Sequence, residues 1–234
     1  MEDGIFTSLI ITFIIIVPII QFILRYNEYK NSSYYKTTQN SFVNVFWNSG
    51  KQGEYSLYQY LQPFESMGCK FLFNLYLPRE NGKTTEIDII MFHPKGLFVI
   101  ESKNYSGWIF GHECQKMWTQ TLPVGYGESH KEHFYNPIMQ NATHIRSLRK
   151  LIDDRIPIYS AIAFSDKCTL KKLTMKSNNI IVTYYSQLSA NLKLILTETT
   201  KTTISQDLID ETYKTLLPYS LVSEQIKLEH IRNI

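Results

Sequence analysis

The chain has 234 residues, 44% of them hydrophobic, which fits one or two globular domains with a substantial core. Its few glycines and prolines form no runs, which argues against extended disorder. The net charge of +3 does not by itself announce a nucleic-acid binder, but the first 24 residues carry Glu2 and Asp3 and no Lys or Arg, so the remainder holds 24 basic against 19 acidic residues, or +5, compatible with a phosphate-bearing substrate.

Residues 4–24 (GIFTSLIITFIIIVPIIQFIL) are apolar and uncharged. At about 1.5 Å per residue such a helix spans a hydrocarbon core of about 30 Å, and Pro18 is tolerated in membrane helices. A secretory signal is the competing reading. The acidic start, the long apolar run and the absence of a small-x-small cleavage site favour a retained anchor. Glu2 and Asp3 precede the span while Arg25, Lys30 and Lys36 follow it, which places the C-terminal bulk in the cytoplasm. Three widely spaced cysteines, Cys69, Cys114 and Cys168, imply no disulfide framework and agree with a reducing compartment.

The expected organisation is an anchor over residues 1–25, a polar juxtamembrane linker over 26–45, a core over 46–185 and a helical extension over 186–234. In the core, Tyr55, Leu57, Tyr58 and Leu61 give a helical stripe that Pro63 ends. Residues 69–77 read as a strand, 85–92 and 97–103 as a hairpin, and Trp108-Ile109-Phe110 as a short further strand. No clear period runs through 119–135, which reads as a loop. Asn136-Pro137 starts a helix, with Asn as N-cap, Pro at the first helical position and a stripe of Ile138, Ala142, Ile145, Leu148 and Ile152. Residues 157–164 and 179–184 read as buried strands, and the spacing after Ser186 predicts two or three helices covering the sheet or forming a lid.

The hairpin carries the chemistry. His93-Pro94-Lys95-Gly96 reads as its turn, since Pro fixes φ and Gly tolerates positive φ. If Phe92 pairs with Leu97, Asp88 falls opposite Glu101 and Glu86 opposite Lys103, and all four side chains share one face. Facing carboxylates on otherwise apolar strands repel, and a hard divalent cation with oxygen ligands relieves that repulsion.

Asp88 followed by Glu101-Ser102-Lys103 resembles the D…ExK signature of the PD-(D/E)xK nuclease superfamily. The surrounding words resemble its nuclease-related domain (NERD) branch: Thr84-Thr85-Glu86-Ile87-Asp88, Gly96-Leu97-Phe98-Val99-Ile100-Glu101-Ser102-Lys103-Asn104-Tyr105-Ser106-Gly107, Gly111, Trp118, Asn136-Pro137-Ile138-Met139-Gln140-Asn141 and His144-Ile145, with Gly53-Glu54 where the family places its first acid. The resemblance spans about half the chain. It implies an α/β, restriction-endonuclease-like core, a mixed central sheet flanked by helices in α-β-β-β-α-β order, here with an N-terminal transmembrane helix and C-terminal helices.

With the anchor and orientation read from residues 1–36, the resemblance implies a membrane-anchored, Mg²⁺- or Mn²⁺-dependent nuclease hydrolysing phosphodiester bonds of cytoplasmic nucleic acid, with DNA favoured. Asp88 and Glu101 would bind the metal. Lys103 would orient the attacking water and meet the developing charge. Gln140, a turn into its helix, would position water or phosphate. Glu54 is either an outer acid of the site or a complement to its helix N-terminus. Glu86 is either the ion-pair partner of Lys103 or a further metal contact. Arg146, Arg149 and Lys150 either track a phosphate backbone or form a solvated helix face. The alternative for the whole chain is a catalytically silent nucleic-acid- or protein-binding module of the same fold on the membrane. His112-Glu113-Cys114 with His130 and His133 matches no common zinc spacing, and His93 reads as a surface residue.

Overall fold

The computed structural model describes residues 2–79, 82–198 and 203–232; of residues 2–11 and 198 only the backbone is described. Nine strands form two sheets among the described residues. The first sheet has the order β1-β2-β3-β7-β9, built from β1 (Lys70–Pro78), β2 (Thr84–His93), β3 (Gly96–Lys103), β7 (Ile158–Phe164) and β9 (Ile180–Tyr184). β1, β2 and β3 form an antiparallel meander, and β7 and β9 continue it in parallel. The sheet is therefore mixed. The second sheet has the order β6-β5-β4-β8, from β4 (Gly107–His112), β5 (Met117–Gly125), β6 (Glu128–Tyr135) and β8 (Cys168–Thr174).

Among the same residues, eight α-helices accompany these sheets: α1 (Glu2–Asn31), α2 (Ser33–Thr38), α3 (Phe42–Trp47), α4 (Ser49–Leu61), α5 (Pro137–Arg149), α6 (Tyr185–Glu198), α7 (Gln206–Ser220) and α8 (Glu224–Arg232). α4-β1-β2-β3-α5-β7 supplies the expected core order, with the β4-β5-β6 meander inserted before α5. Both faces of the first sheet are dry. Phe71, Phe73, Ile89, Met91, Phe98 and Ile100 pack against Leu57, Tyr58 and Leu61 of α4 and Leu188, Leu192 and Leu196 of α6. On the other face, Ile90, Phe92, Leu97 and Val99 pack against Leu148 of α5 and Ile209 and Leu216 of α7. Two-sided burial explains why these strands read as nearly continuous apolar runs.

Several expectations need correction. Residues 119–135 are not a loop but most of the β5–β6 hairpin; β6 is almost wholly exposed, so it carries no apolar alternation, and its turn uses Gly125, Tyr126 and Gly127 at positive φ. β8 (CTLKKLT) is a further strand not signalled by the sequence, because it buries only part of one face. The supposed linker is folded onto the domain: Tyr29 and Tyr34 are fully buried, Tyr34 against Phe73 at 5.0 Å between ring centroids. Aromatic rings, rather than an aliphatic period, hold this segment. α6 starts at Tyr185 and belongs to the core rather than to an appendage. The buried face of α5 also differs from the predicted stripe, running through Ile138, Asn141, His144, Ser147 and Leu148.

Among the described residues, no helix is long and apolar enough to cross a membrane. Part of the expected span, residues 4–11, lies outside those whose side chains are described.

Candidate active site

The hairpin register is the expected one as far as Ile89↔Ile100, with Phe92 opposite Leu97. There the ladder stops, and Asp88 and Glu101 are the first residues beyond it. On the other side of β2, pairing with β1 skips the Asn74–Asp88 position between Phe73↔Ile89 and Leu75↔Ile87. Asn74 has φ 51, the left-handed region, in mid-strand. Side-chain alternation reverses at this point. Phe73 and Ile89 face α4, whereas Leu75 and Ile87 face the α5–α7 side.

That reversal overturns the expectation that four charged side chains share one face. Glu101 and Lys103 point toward α5. Glu86 instead accepts from Tyr76 Oη at 2.5 Å, has His230 Nε2 at 3.6 Å and lies beside Asn74. It is not the partner of Lys103. Asp88 sits at the turnover, its Oδ2 accepting from the Ser102 backbone N–H at 2.7 Å. Ser102 Oγ lies 2.7 Å from the Tyr185 hydroxyl at the start of α6, which fixes the end of β3.

Glu101 is 1% exposed and held at both oxygens. Lys103 Nζ donates to Oε1 at 2.6 Å, and His144 Nε2 lies 3.0 Å from Oε2. Burial pushes this carboxyl up, but Lys103 and His144 outweigh it and hold it at about 2. Since an ionised carboxylate only accepts, His144 Nε2 carries the hydrogen, and Nδ1 lies 2.7 Å from Thr85 Oγ1. Lys103 also donates to Gln140 Oε1 at 3.1 Å. Burial lowers its affinity for a proton, yet Glu101 and Asp88 more than restore it, so it stays an ammonium. Gln140 and His144 reach the same acid–base pair because they lie one helical turn apart on α5, whose start Asn136 caps through its side chain at 2.9 Å from Ile138 N.

Glu54 enters from the opposite side. Gly53 lets α4 approach the end of β3: a Cβ there would lie 2.6 Å from Asn104 Cβ. Glu54 Oε2 accepts from Asn74 Nδ2 at 2.8 Å and from Tyr34 Oη at 3.1 Å. Burial raises its pKa to about 7, with the charge of Glu86 adding to the effect and the Asn74 bond opposing it. Glu54, Asn74, Tyr76 and Glu86 line a cavity of about 190 Å³ to which Lys227 and Ile231 of α8 also contribute. Asp88 is pushed well above the ordinary range by burial and then by Glu101 and Glu54.

The structure therefore brings Glu54, Asp88, Glu101, Lys103 and Gln140 into one electrostatic neighbourhood, and it adds His144, Tyr34, Asn74 and Tyr185. His144 lies four residues after Gln140, a spacing visible in the sequence; Tyr34 sits in a segment whose composition resembles a linker. The basic residues Arg146 and Arg149 turn elsewhere, Arg146 toward Thr143 and Arg149 toward the carbonyls of Asp153 and Asp154. Of the other candidate cluster, Glu113 accepts from the Lys176 and Ser177 backbone and from Ser177 Oγ, and His112 Nδ1 accepts from Cys114 N, so these residues shape a turn.

No group of three or more His, Cys, Asp or Glu side chains among the described residues is arranged to hold a metal ion by itself. Mg²⁺, however, takes one or two carboxylates and completes its shell with water. The donor chemistry fits such an ion: Asp88 is repelled by both Glu101 and Glu54, and of these three acids only Glu101 is shown in an ion pair, with Lys103.

A mixed α/β core with an acid–acid–lysine set at the end of its central hairpin defines a PD-(D/E)xK nuclease-like domain. The sequence profile of the nuclease-related domain family matches residues 49–165, and the chain belongs to that family. It is also 32% identical over 183 residues to an uncharacterized protein of Bacillus anthracis, covering 78% of this chain and 82% of that protein. No solved structure matches.

Proposed function

We propose that the chain is a membrane-tethered, divalent-metal-dependent nuclease that hydrolyses phosphodiester bonds of cytoplasmic nucleic acid, DNA in preference to RNA. The observation that carries this reading is the convergence of Asp88, Glu101 and Lys103, three ionisable groups in a buried setting, with Gln140 on the lysine. Asp88 and Glu101 would hold Mg²⁺ or Mn²⁺. Such an ion, when bound, polarises the scissile phosphate and makes bound water more acidic. Lys103 holds the nucleophilic water and meets the charge that develops on phosphate, and Gln140 fixes the ammonium. His144 holds Glu101 ionised and oriented. Burial and the neighbouring carboxylates disfavour the ionised form of Asp88, and a cation would offset them. For the tether, Phe13, Ile14, Phe22 and Leu24 of α1 are all exposed, as a lipid-facing helix requires.

One observation favours a second reading, a catalytically silent module of the same fold: both oxygens of Glu101 are already engaged by Lys103 and His144. Metal-dependent cleavage of mixed single- and double-stranded DNA and RNA, with Glu101→Gln as control, separates the two. Cleavage that requires both Mg²⁺ and Glu101 supports the nuclease; its absence together with no Mg²⁺-induced rise in Tm supports the silent module.

A further inference from the structure

Among the described residues, one face of the second sheet is largely exposed, with Trp108, Met117, Lys131, Tyr135 and Lys172 all open to solvent. The sheet's inner side packs Ile109 and Trp118 against Ile138, Ile162 and Phe164. The ladders fix which residues look the other way. One row runs Thr169–Trp108–Thr121–Lys131, the next Lys172–Phe110–Thr119–His133. No Asp or Glu stands in either row. Glu132 pairs with Gln120, which pairs with inward-facing Ile109, and so belongs to the opposite side. Trp108 is 45% exposed, and Met117 and Tyr135, paired at the sheet end on the same face, are 44% and 42% exposed. Lys171, at the bulge between the rows, places Nζ 5.4 Å from the Trp108 ring centroid. Aromatic surface without acids and with lysines at both edges is costly to leave in water, and its charge fits a polyanion.

Position ties this face to the candidate active site. β4 follows β3 after only residues 104–106, and Ser165, just before β8, donates its backbone N–H to the Lys103 carbonyl at 2.9 Å. Anything lying along β4 runs toward Lys103. Aromatic rings standing on an open sheet stack against bases, and only an unpaired strand offers bases to them.

We propose that this sheet face is a platform for single-stranded nucleic acid, with a base stacked on Trp108 and phosphates met by Lys131, Lys171 and Lys172, so that the strand is led to the Asp88–Glu101–Lys103 site. The proposal rests on the nuclease reading for its direction but is tested without cleavage.

The test is fluorescence anisotropy of a labelled oligothymidine of ~20 nucleotides, longer than one such platform needs, titrated with the full-length protein in mild detergent and chelator. Trp108→Ala is expected to weaken binding at least about fivefold, and Trp108→Phe to restore most of it. Lys131→Gln with Lys172→Gln should flatten the slope of log affinity against log salt by about 1.4, or about 0.7 for each phosphate that is no longer neutralised. A duplex of equal length should bind more weakly than the single strand. Thermal melting of each variant checks the fold; all three residues are exposed and leave the core untouched. Unchanged affinity and slope in folded variants, or equal binding of duplex, overturn the platform. Cleavage that survives while binding ignores these residues removes the platform and spares the nuclease. Binding through Trp108 with no Mg²⁺-dependent cleavage does the reverse.

Discussion

Two sides of one sheet carry acids of the same kind in opposite states. On the α5 side, Glu101 is buried yet held at about 2, because Lys103 supplies positive charge and Lys103 and His144 together hydrogen-bond both oxygens. On the α4 side, Glu54 is nearly as buried but rises to about 7, since Asn74 and Tyr34 give it only neutral donors and Glu86 adds repulsion. Asp88 lies between them and behaves like the α4 side. Burial is common to all three, so the difference is the presence of a cation. The half that lacks one is where an exogenous cation gains most, whereas the half that has one already holds a poised lysine.

The sharpest way to break this comparison is to take the resident cation away. Lys103→Met leaves Glu101 buried with only His144 opposite, and breaking a buried pair costs about 3–5 kcal/mol. Cleavage should fall by about 10²-fold or more. The rise in Tm on adding Mg²⁺, read by scanning calorimetry, should grow, because the metal then replaces the lost ammonium. An unchanged Tm in chelator would mean the Lys103–Glu101 bridge contributes little to folding.

Asp88→Asn tests the other side. It removes a group that is pushed upward by burial and by two neighbouring carboxylates, so the metal-free protein should melt at the same temperature or higher. It should also lose the stabilisation that Mg²⁺ gives the parent, about 2.7 kcal/mol at a hundredfold excess over Kd. A variant that still gains from Mg²⁺ would place the ion away from Asp88.

Glu54 provides a pH signature. Its folded pKa of about 7 lies above the ordinary value of 4.5, so the folded state binds the proton more tightly. That contribution is complete below about pH 4.5 and is lost as pH rises through 7. In chelator, parental stability should therefore fall from about pH 5 to pH 8, by on the order of 2 kcal/mol, and Glu54→Gln should flatten the profile. Glu101 has the opposite sign, adding stability above pH 4.5 that is lost as pH falls toward 2. A parental profile flat between pH 5 and 8 would remove the asymmetry.

Much of this was legible in the residues. Apolar strand runs, the Pro94–Gly96 turn and constant-sum pairing located the hairpin and brought Asp88 next to Glu101. Asn136-Pro137 gave the helix that carries Gln140. What pairing arithmetic could not show is the reversal at Asn74 and Asp88, since a single left-handed residue in mid-strand leaves no trace in hydrophobic period. It sent Glu86 to the wrong face. The β5–β6 hairpin was missed because its exposed strand has no apolar side, and the burial of Tyr29 and Tyr34 because polar neighbours mask an aromatic cluster.

Asn74 itself gives the smallest and most discriminating effect. Its left-handed backbone costs a non-glycine residue about 1 kcal/mol, which Asn74→Gly recovers. The same substitution deletes the donor 2.8 Å from Glu54 Oε2. A hydrogen bond to an ionised carboxylate contributes about 1.5–3 kcal/mol and one to a neutral acid about 0.5–1.5. At pH 8, where Glu54 is largely ionised, the lost bond should outweigh the relieved strain and leave the variant about 1 kcal/mol less stable. At pH 5, where Glu54 is protonated, the two nearly cancel. Because the Asn74 bond holds the Glu54 pKa down, its removal also moves the fall in stability to higher pH. The measurement is the difference in Tm between parent and Asn74→Gly at the two pH values in chelator. Equal offsets at both would mean that Asn74 serves only to turn the strand, and that the charge state of Glu54 is set by burial alone.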